Sequence, residues 1–180
     1  MASSSSSKVY DGTQYVESCG AVVFDNSKQK VCLPLRRRAK EDGSQEEAWV
    51  LPKGRRHCGE HRYAAALREV EEETGYACHL QSLNMVTRAP AAQEPEAATT
   101  GKPRPCRTYT EPFMVTHRNK QDGYLKLIYW YLAVADAQMT AGEETFTPRF
   151  FEPEEALATI TFPDERKVLE EGIRLMRGGC

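Results

Sequence analysis

With 180 residues the chain fits one domain, or one domain with tails, and at that size it buries a genuine core without staples. Apolar side chains make up 40% and charged ones 28%, an ordinary globular balance, and no apolar run approaches the ~20 residues a bilayer-spanning helix needs. The 24 basic and 26 acidic side chains leave a net charge of −2, which argues against a global field drawing the protein onto nucleic acid or membrane; anion binding has to be local.

Residues 1–13 are Ser-rich and too poor in apolar side chains to offset the entropy of ordering them, so they read as a disordered tail ahead of one domain over 14–177. Tyr15 to Phe24 and Lys30 to Arg38 read as strands of a hairpin turning at Asp25-Asn26-Ser27. A short apolar run, Ala48 to Leu51, stops at Pro52. From Glu60 to Thr74 the period turns helical: Tyr63, Ala66, Leu67, Val70 and Thr74 share one side, and Gly75 stands at the C-cap position. Strand-like segments follow at about 78–88, 108–116 and 124–135, the last dense in aromatic and β-branched residues as an interior strand is. Between the first two lies a segment of about 89–107, rich in Pro, Ala and Thr, which reads as a long mobile loop. A strand near Arg149 to Phe151 precedes a short helix opened by Glu152-Pro153-Glu154-Glu155, and Pro163-Asp164-Glu165 opens a last helix to Met176. The six cysteines form no Cys-x-x-Cys pair and read as free thiols of a reducing, cytoplasmic compartment.

On the first helix, with Glu69 at zero, Glu72 falls at about 300° and Glu73 at about 40°, whereas Glu71 points elsewhere. Like charges so crowded repel, at roughly 0.2–0.5 kcal/mol per pair, unless a cation compensates. Most Glu-rich faces are merely solvated. Here, however, Leu51-Pro52-Lys53-Gly54-Arg55-Arg56 sets a strand end, a glycine and a basic loop just upstream. Oxygen ligands without His or Cys suit Mg²⁺ or Mn²⁺ rather than zinc, and the cations suit phosphate oxygens. His57 and His61 precede the helix proper, and Cys58 has no base beside it, so none of the three is assigned chemistry.

Gly54, Glu60, Arg68-Glu69-Val70, Glu72-Glu73 and Gly75-Tyr76, at these spacings, resemble the Nudix box GX5EX7REUXEEXGU at all seven fixed positions. Tyr76 departs from the usual aliphatic residue at the last hydrophobic position, a change in packing behind the helix. The resemblance implies an α+β fold, the Nudix αβα sandwich with a central mixed sheet flanked by helices. It implies hydrolysis of a pyrophosphate link with a divalent metal. Carried over residue by residue, Glu69, Glu72 and Glu73 stand as metal ligands, one of them also a base, and the Lys53 carbonyl as a further ligand. Glu60 stands as an additional or supporting ligand, and Arg68 as the clamp on a glutamate.

For substrate binding the candidates are Arg36, Arg38, Lys53, Gly54, Arg55, Arg56, Arg104 and Arg107. Ten cations in three clusters, the seven basic residues among these with Arg37, Arg62 and Lys102, suggest a partner far more anionic than one nucleotide. The resemblance thus narrows to diphosphoinositol polyphosphate hydrolases. Dinucleoside polyphosphates are the alternative, since LPKG before the box is similar to diadenosine polyphosphate hydrolases; mRNA caps are the sole nucleic-acid option kept. Tyr109, Phe113, Tyr124, Tyr129 and Trp130 are candidate base platforms, though core positions describe most of them better. A ligand-binding module without hydrolysis ranks below the enzyme, because no box glutamate is missing.

Overall fold

The computed structural model describes residues 7–89, 102–119, 123–139 and 141–178, the side chains of 106–108 and 137–139 excepted. Its elements run β1 (Tyr15–Phe24), β2 (Val31–Ala39), β3 (Gln45–Trp49), β4 (Lys53–Arg55), α1 (Arg62–Thr74), β5 (Tyr76–Leu80), β6 (Leu83–Thr87), β7 (Arg104–Tyr109), β8 (Met114–Asn119), β9 (Leu125–Met139), β10 (Phe146–Phe151), α2 (Pro153–Thr159) and α3 (Pro163–Met176). The expected hairpin forms, with Phe24 opposite Val31 and the Asp25 carboxylate accepting the Gln29 and Lys30 amides in its turn.

Eight strands make one mixed sheet in the order β10-β2-β1-β9-β5, with β3 on β2, β4 on β1 and β8 on β9. The centre is the parallel pairing of β1 with β9, unbroken from Tyr15 opposite Leu125 to Phe24 opposite Val134. Both strands are buried on two faces, and alternation sorts their side chains. Val22, Phe24, Trp130 and Leu132 join the cluster with Ile160, Val168 and Leu169 of the α2–α3 side, while Ala21, Val23, Tyr131 and Ala133 join Ala65, Ala66 and Val70 of α1. This is the expected three-layer α+β sandwich.

Three expectations need correction. The strand read over 78–88 is two, since Gln81 and Ser82 break it and send β5 to the large sheet and β6 to a separate pair with β7. The loop read over 89–107 ends early, because Arg104 to Tyr109 pairs with β6; residues 90–101 lie outside the described residues. Thr108 to Thr116 is not one strand either: β7 closes at Tyr109 and β8 opens at Met114 against β9. Pairing partners distant in sequence decided these points, and a local pattern does not contain them. In the tail, residues 1–6 lie outside the described residues, while the Asp11 carboxylate accepts from the Thr13 amide and hydroxyl.

For the site, the decisive feature is where the sheet divides. β2 holds register with β1 only near Val23 and Phe24, then diverges to pair with β3; β4 takes the vacated edge of β1, with Gly20 opposite Lys53 and Ser18 opposite Arg55. Gly20 permits that approach, since a Cβ there would lie 2.4 Å from the Pro52 carbonyl oxygen and 2.6 Å from Lys53 Cβ. Among the described residues the two buried side-chain polar atoms without a protein partner, Ser18 Oγ and Arg36 Nε, sit on the two strands flanking this division.

Candidate active site

After Arg62 and Tyr63, helix α1 continues through a run of strong helix formers, Ala64-Ala65-Ala66-Leu67, and its small buried residues, Ala65 and Ala66, let it lie close on the sheet. Gly75 ends it in the left-handed region, φ 73°, its amide donating to the Glu71 carbonyl at 2.7 Å. Helix and β4 thus bring the box residues together.

Arg68 is the centre of the charge network. Its Nε donates to Glu60 Oε1 at 2.9 Å, its Nη1 to Glu69 Oε1 at 2.7 Å and to Glu72 Oε2 at 2.9 Å, and its Nη2 to the Arg55 carbonyl at 3.0 Å. Glu60 also accepts the His57 amide, and with the Arg68 guanidinium as main cause its carboxyl is held down to about 2. Both Glu60 oxygens are engaged in tying the basic loop to the helix.

Glu69 lies over Gly54: a Cβ on that glycine would fall 1.7 Å from Glu69 Oε2. Burial raises the Glu69 carboxyl above the ordinary range, with Glu72 and Glu143 adding like-charge repulsion against the pull of Arg68. Glu73 Oε2 accepts the Lys53 amide at 3.1 Å, and burial first, then Glu69 and Glu143, push its carboxyl up to about 8. Glu143 is a fourth acid that sequence reasoning missed. Its amide donates to the Glu72 carbonyl at 2.8 Å, and Gly142 beside it packs on the Gly75 backbone.

The donors fit a hard divalent cation in kind, being all oxygen, and in charge, since burial and neighbouring acids raise two of the carboxyls, Glu69 and Glu73. Among the described residues no three acidic, His or Cys groups converge into a ready cage, because the Arg68 guanidinium stands between Glu69 and Glu72.

The cation clusters are less free than the sequence suggested. Arg56 and Arg62 both pair with Glu17 of β1, at 2.7 and 2.5 Å, and Arg62 also stacks over Tyr129 at 4.1 Å. Arg37 pairs with Glu47 at 2.8 Å. The Lys53 ammonium, 10% exposed, pairs with Glu165 at 3.1 Å, so what Lys53 offers the helix is its backbone. Arg104 donates to the Ala89 carbonyl in the β6–β7 unit; the Arg107 side chain lies outside the described residues. Arg36, over the Phe162 ring, and Arg38 and Arg55 have no acidic partner among the described residues. Glu17, Arg118 and Glu165 gave no motif to find; the one hint was a lone acid amid the β-rich run of β1. Of the base platforms, Trp130 is buried with its Nε1 donating to Thr116, while Tyr109 is half exposed. Cys19, Cys32, Cys58 and Cys78 are free thiols, and burial pushes Cys19 up to about 12, away from nucleophilic use.

A NUDIX domain model matches residues 14–172, and the chain belongs to that family, whose hydrolases act on pyrophosphate bonds and generally use divalent cations. Among solved structures it is similar to a NUDIX hydrolase from Nitrosomonas europaea, 16% identical over 87% of this chain and 86% of that one, TM-score 0.56. It is also similar to a C. elegans Ap4A hydrolase, 16% identical over 87% and 93%, TM-score 0.51. The E. coli dihydroneopterin triphosphate pyrophosphohydrolase is 14% identical over 88% and 97%, TM-score 0.52. At such identities the likeness is one of fold, and one fold serves many substrates. No described helix is long and apolar enough to cross a membrane.

Proposed function

We propose that the protein is a Mg²⁺- or Mn²⁺-dependent pyrophosphohydrolase whose substrate is a small, multiply phosphorylated molecule, a diphosphoinositol polyphosphate first among them. The observation that carries the reading is the pair of buried carboxyls, Glu69 and Glu73, held against Gly54 and the Lys53 amide, both raised above the ordinary range despite the pull of Arg68 on the first and Lys53 on the second. Glu69, Glu72, Glu73 and the Lys53 carbonyl would hold the cation. When bound, it neutralises the phosphoanhydride charge and lowers the pKa of an attacking water.

The remaining work falls to this chain's own groups. One of the three carboxylates takes the proton of the water. Arg68, fixed by Glu60, orients Glu69 and Glu72, and orientation of that kind is worth roughly 10- to 100-fold at metal sites. Arg36, Arg38 and Arg55 receive phosphate oxygens. Those three cations support a polyanionic substrate less strongly than ten would, because Arg37, Lys53, Arg56 and Arg62 already have internal partners.

Phosphate release from diphosphoinositol pentakisphosphate, diadenosine polyphosphates and capped RNA, each with Mg²⁺, Mn²⁺ or chelator, tests the reading. E72Q and E73Q should keep the fold and lose most turnover. Near wild-type rates for either at saturating Mg²⁺ would discard the assignment, and silence of the wild type on all three substrates would favour a binding module.

A further inference from the structure

Glu165 is a buried acid that the box chemistry does not use. It lies in the first turn of α3, is 1% exposed, and belongs to the helix layer opposite α1. Its Oε2 accepts the Leu51 amide at 2.8 Å, and its Oε1 meets Lys53 Nζ at 3.1 Å and Arg118 Nη2 of β8 at 3.4 Å. Leu51 lies where the chain leaves β3 and has not yet joined β4, so its amide has no ladder partner, and Glu165 supplies the missing acceptor. Lys53 is thereby gripped at two points: its ammonium by Glu165 from the α3 layer, and its amide by Glu73 from α1. Pro52, between them, accepts the Ala21 amide at 3.2 Å. Three consecutive residues are thus pinned from three sides immediately before Gly54, the residue on which Glu69 rests.

We infer that Glu165 is a positioning residue of the hydrolytic site, acting through Lys53 to fix the strand end that carries Gly54 and the Glu73 contact. The inference rests on the proposed hydrolysis. A buried ammonium deprived of its carboxylate moves toward water, and it takes the Lys53 backbone with it. Glutamine at 165 keeps the shape and the acceptor for Leu51 but turns an amide donor toward Lys53 and Arg118. Aspartate keeps the charge one methylene short.

The test joins amine labelling of the metal-free protein, read by mass spectrometry at Lys53, with steady-state kinetics on the substrate the wild type turns over. Lys53 should be protected in the wild type and labelled at least about tenfold faster in E165Q. The kcat of E165Q should fall roughly 10- to 100-fold, as for displaced supports of metal sites, with KM changed less than about threefold; E165D should lie between. The double variant K53M/E165Q should be no slower than E165Q, since both changes break one link. Unchanged Lys53 labelling in E165Q overturns the inference, as do a lowered melting temperature with unchanged kcat, a loss confined to KM, or additive losses in the double variant. If E165Q does not fold, E165D carries the same readings. Protection of Lys53 in a wild type that hydrolyses no pyrophosphate would establish the ion pair, refute the hydrolytic reading and end the positioning role with it.

Discussion

Alanine at Gly54 tests why the box begins with glycine. Gly54 is not among the residues with positive φ, so backbone freedom is not the reason. A Cβ would stand 1.7 Å from Glu69 Oε2, 2.0 Å from Cδ and 2.3 Å from Oε1, and the carboxyl must retreat by roughly 1.5 Å or more to reach ordinary contact. Retreat breaks the 2.7 Å bond from Arg68 Nη1. Losing a charge-assisted bond costs about 1.5–3 kcal/mol, and an off-rotamer side chain adds about 0.5–1.5 kcal/mol. G54A should therefore be less stable by about 2–4 kcal/mol, a fall in Tm of roughly 5–15 °C for a chain of this length. Turnover should drop about 100-fold or more, since ~1 Å of misplacement costs that much. Calorimetry and steady-state rates measure both. In an E69A background the obstruction is gone, and adding G54A should cost less than about 0.5 kcal/mol. Equal destabilisation in the two backgrounds, or wild-type turnover by G54A, would refute the steric argument.

Gly20→Ala meets backbone rather than a flexible side chain, so β4 must leave β1; urea melts should show a loss of about 1–3 kcal/mol or more, and an unchanged midpoint would contradict the close pairing. Burial alone would raise the Glu17 carboxyl, but the bonds from Arg62 and Arg56 outweigh it and leave the pKa below 4.5. Its stabilising contribution is therefore complete above pH 4.5 and fades as pH falls through the lowered folded value. E17Q should melt earlier than wild type at pH 7, by a margin equivalent to about 1–2 kcal/mol, and the two curves should converge in acid; a gap that widens in acid would refute the sign. A divalent cation at ~100-fold over its Kd should stabilise the wild type by about 2.7 kcal/mol in thermal melts, reversibly with chelator. E69Q and E73Q should respond less, and a wild-type Tm indifferent to Mg²⁺ would count against the carboxylate site.

The features legible in the chain were those set by neighbours within a few residues. The 3.6-residue period and Gly75 mark α1, Pro163 with its acids marks α3, and the Asp25 turn marks the first hairpin, because helix caps and turns are local chemistry. The box spacing placed Glu69, Glu72 and Glu73 in one sector for the same reason, while the role of Arg68 came from the family resemblance. Pairing and burial are different in kind, since they depend on which distant segment arrives. Only the folded chain decides that β1 lies parallel to β9, that Lys53 to Arg55 becomes a strand on β1, and that Arg104 to Tyr109 pairs with β6. The same holds for charge. In the sequence Lys53, Arg56 and Arg62 look like free cations; in the fold Glu17, 39 residues before Arg56 and 45 before Arg62, and Glu165, 112 after Lys53, hold them. An ion pair across such separations leaves no periodic trace, whereas a three-residue spacing on one helix does.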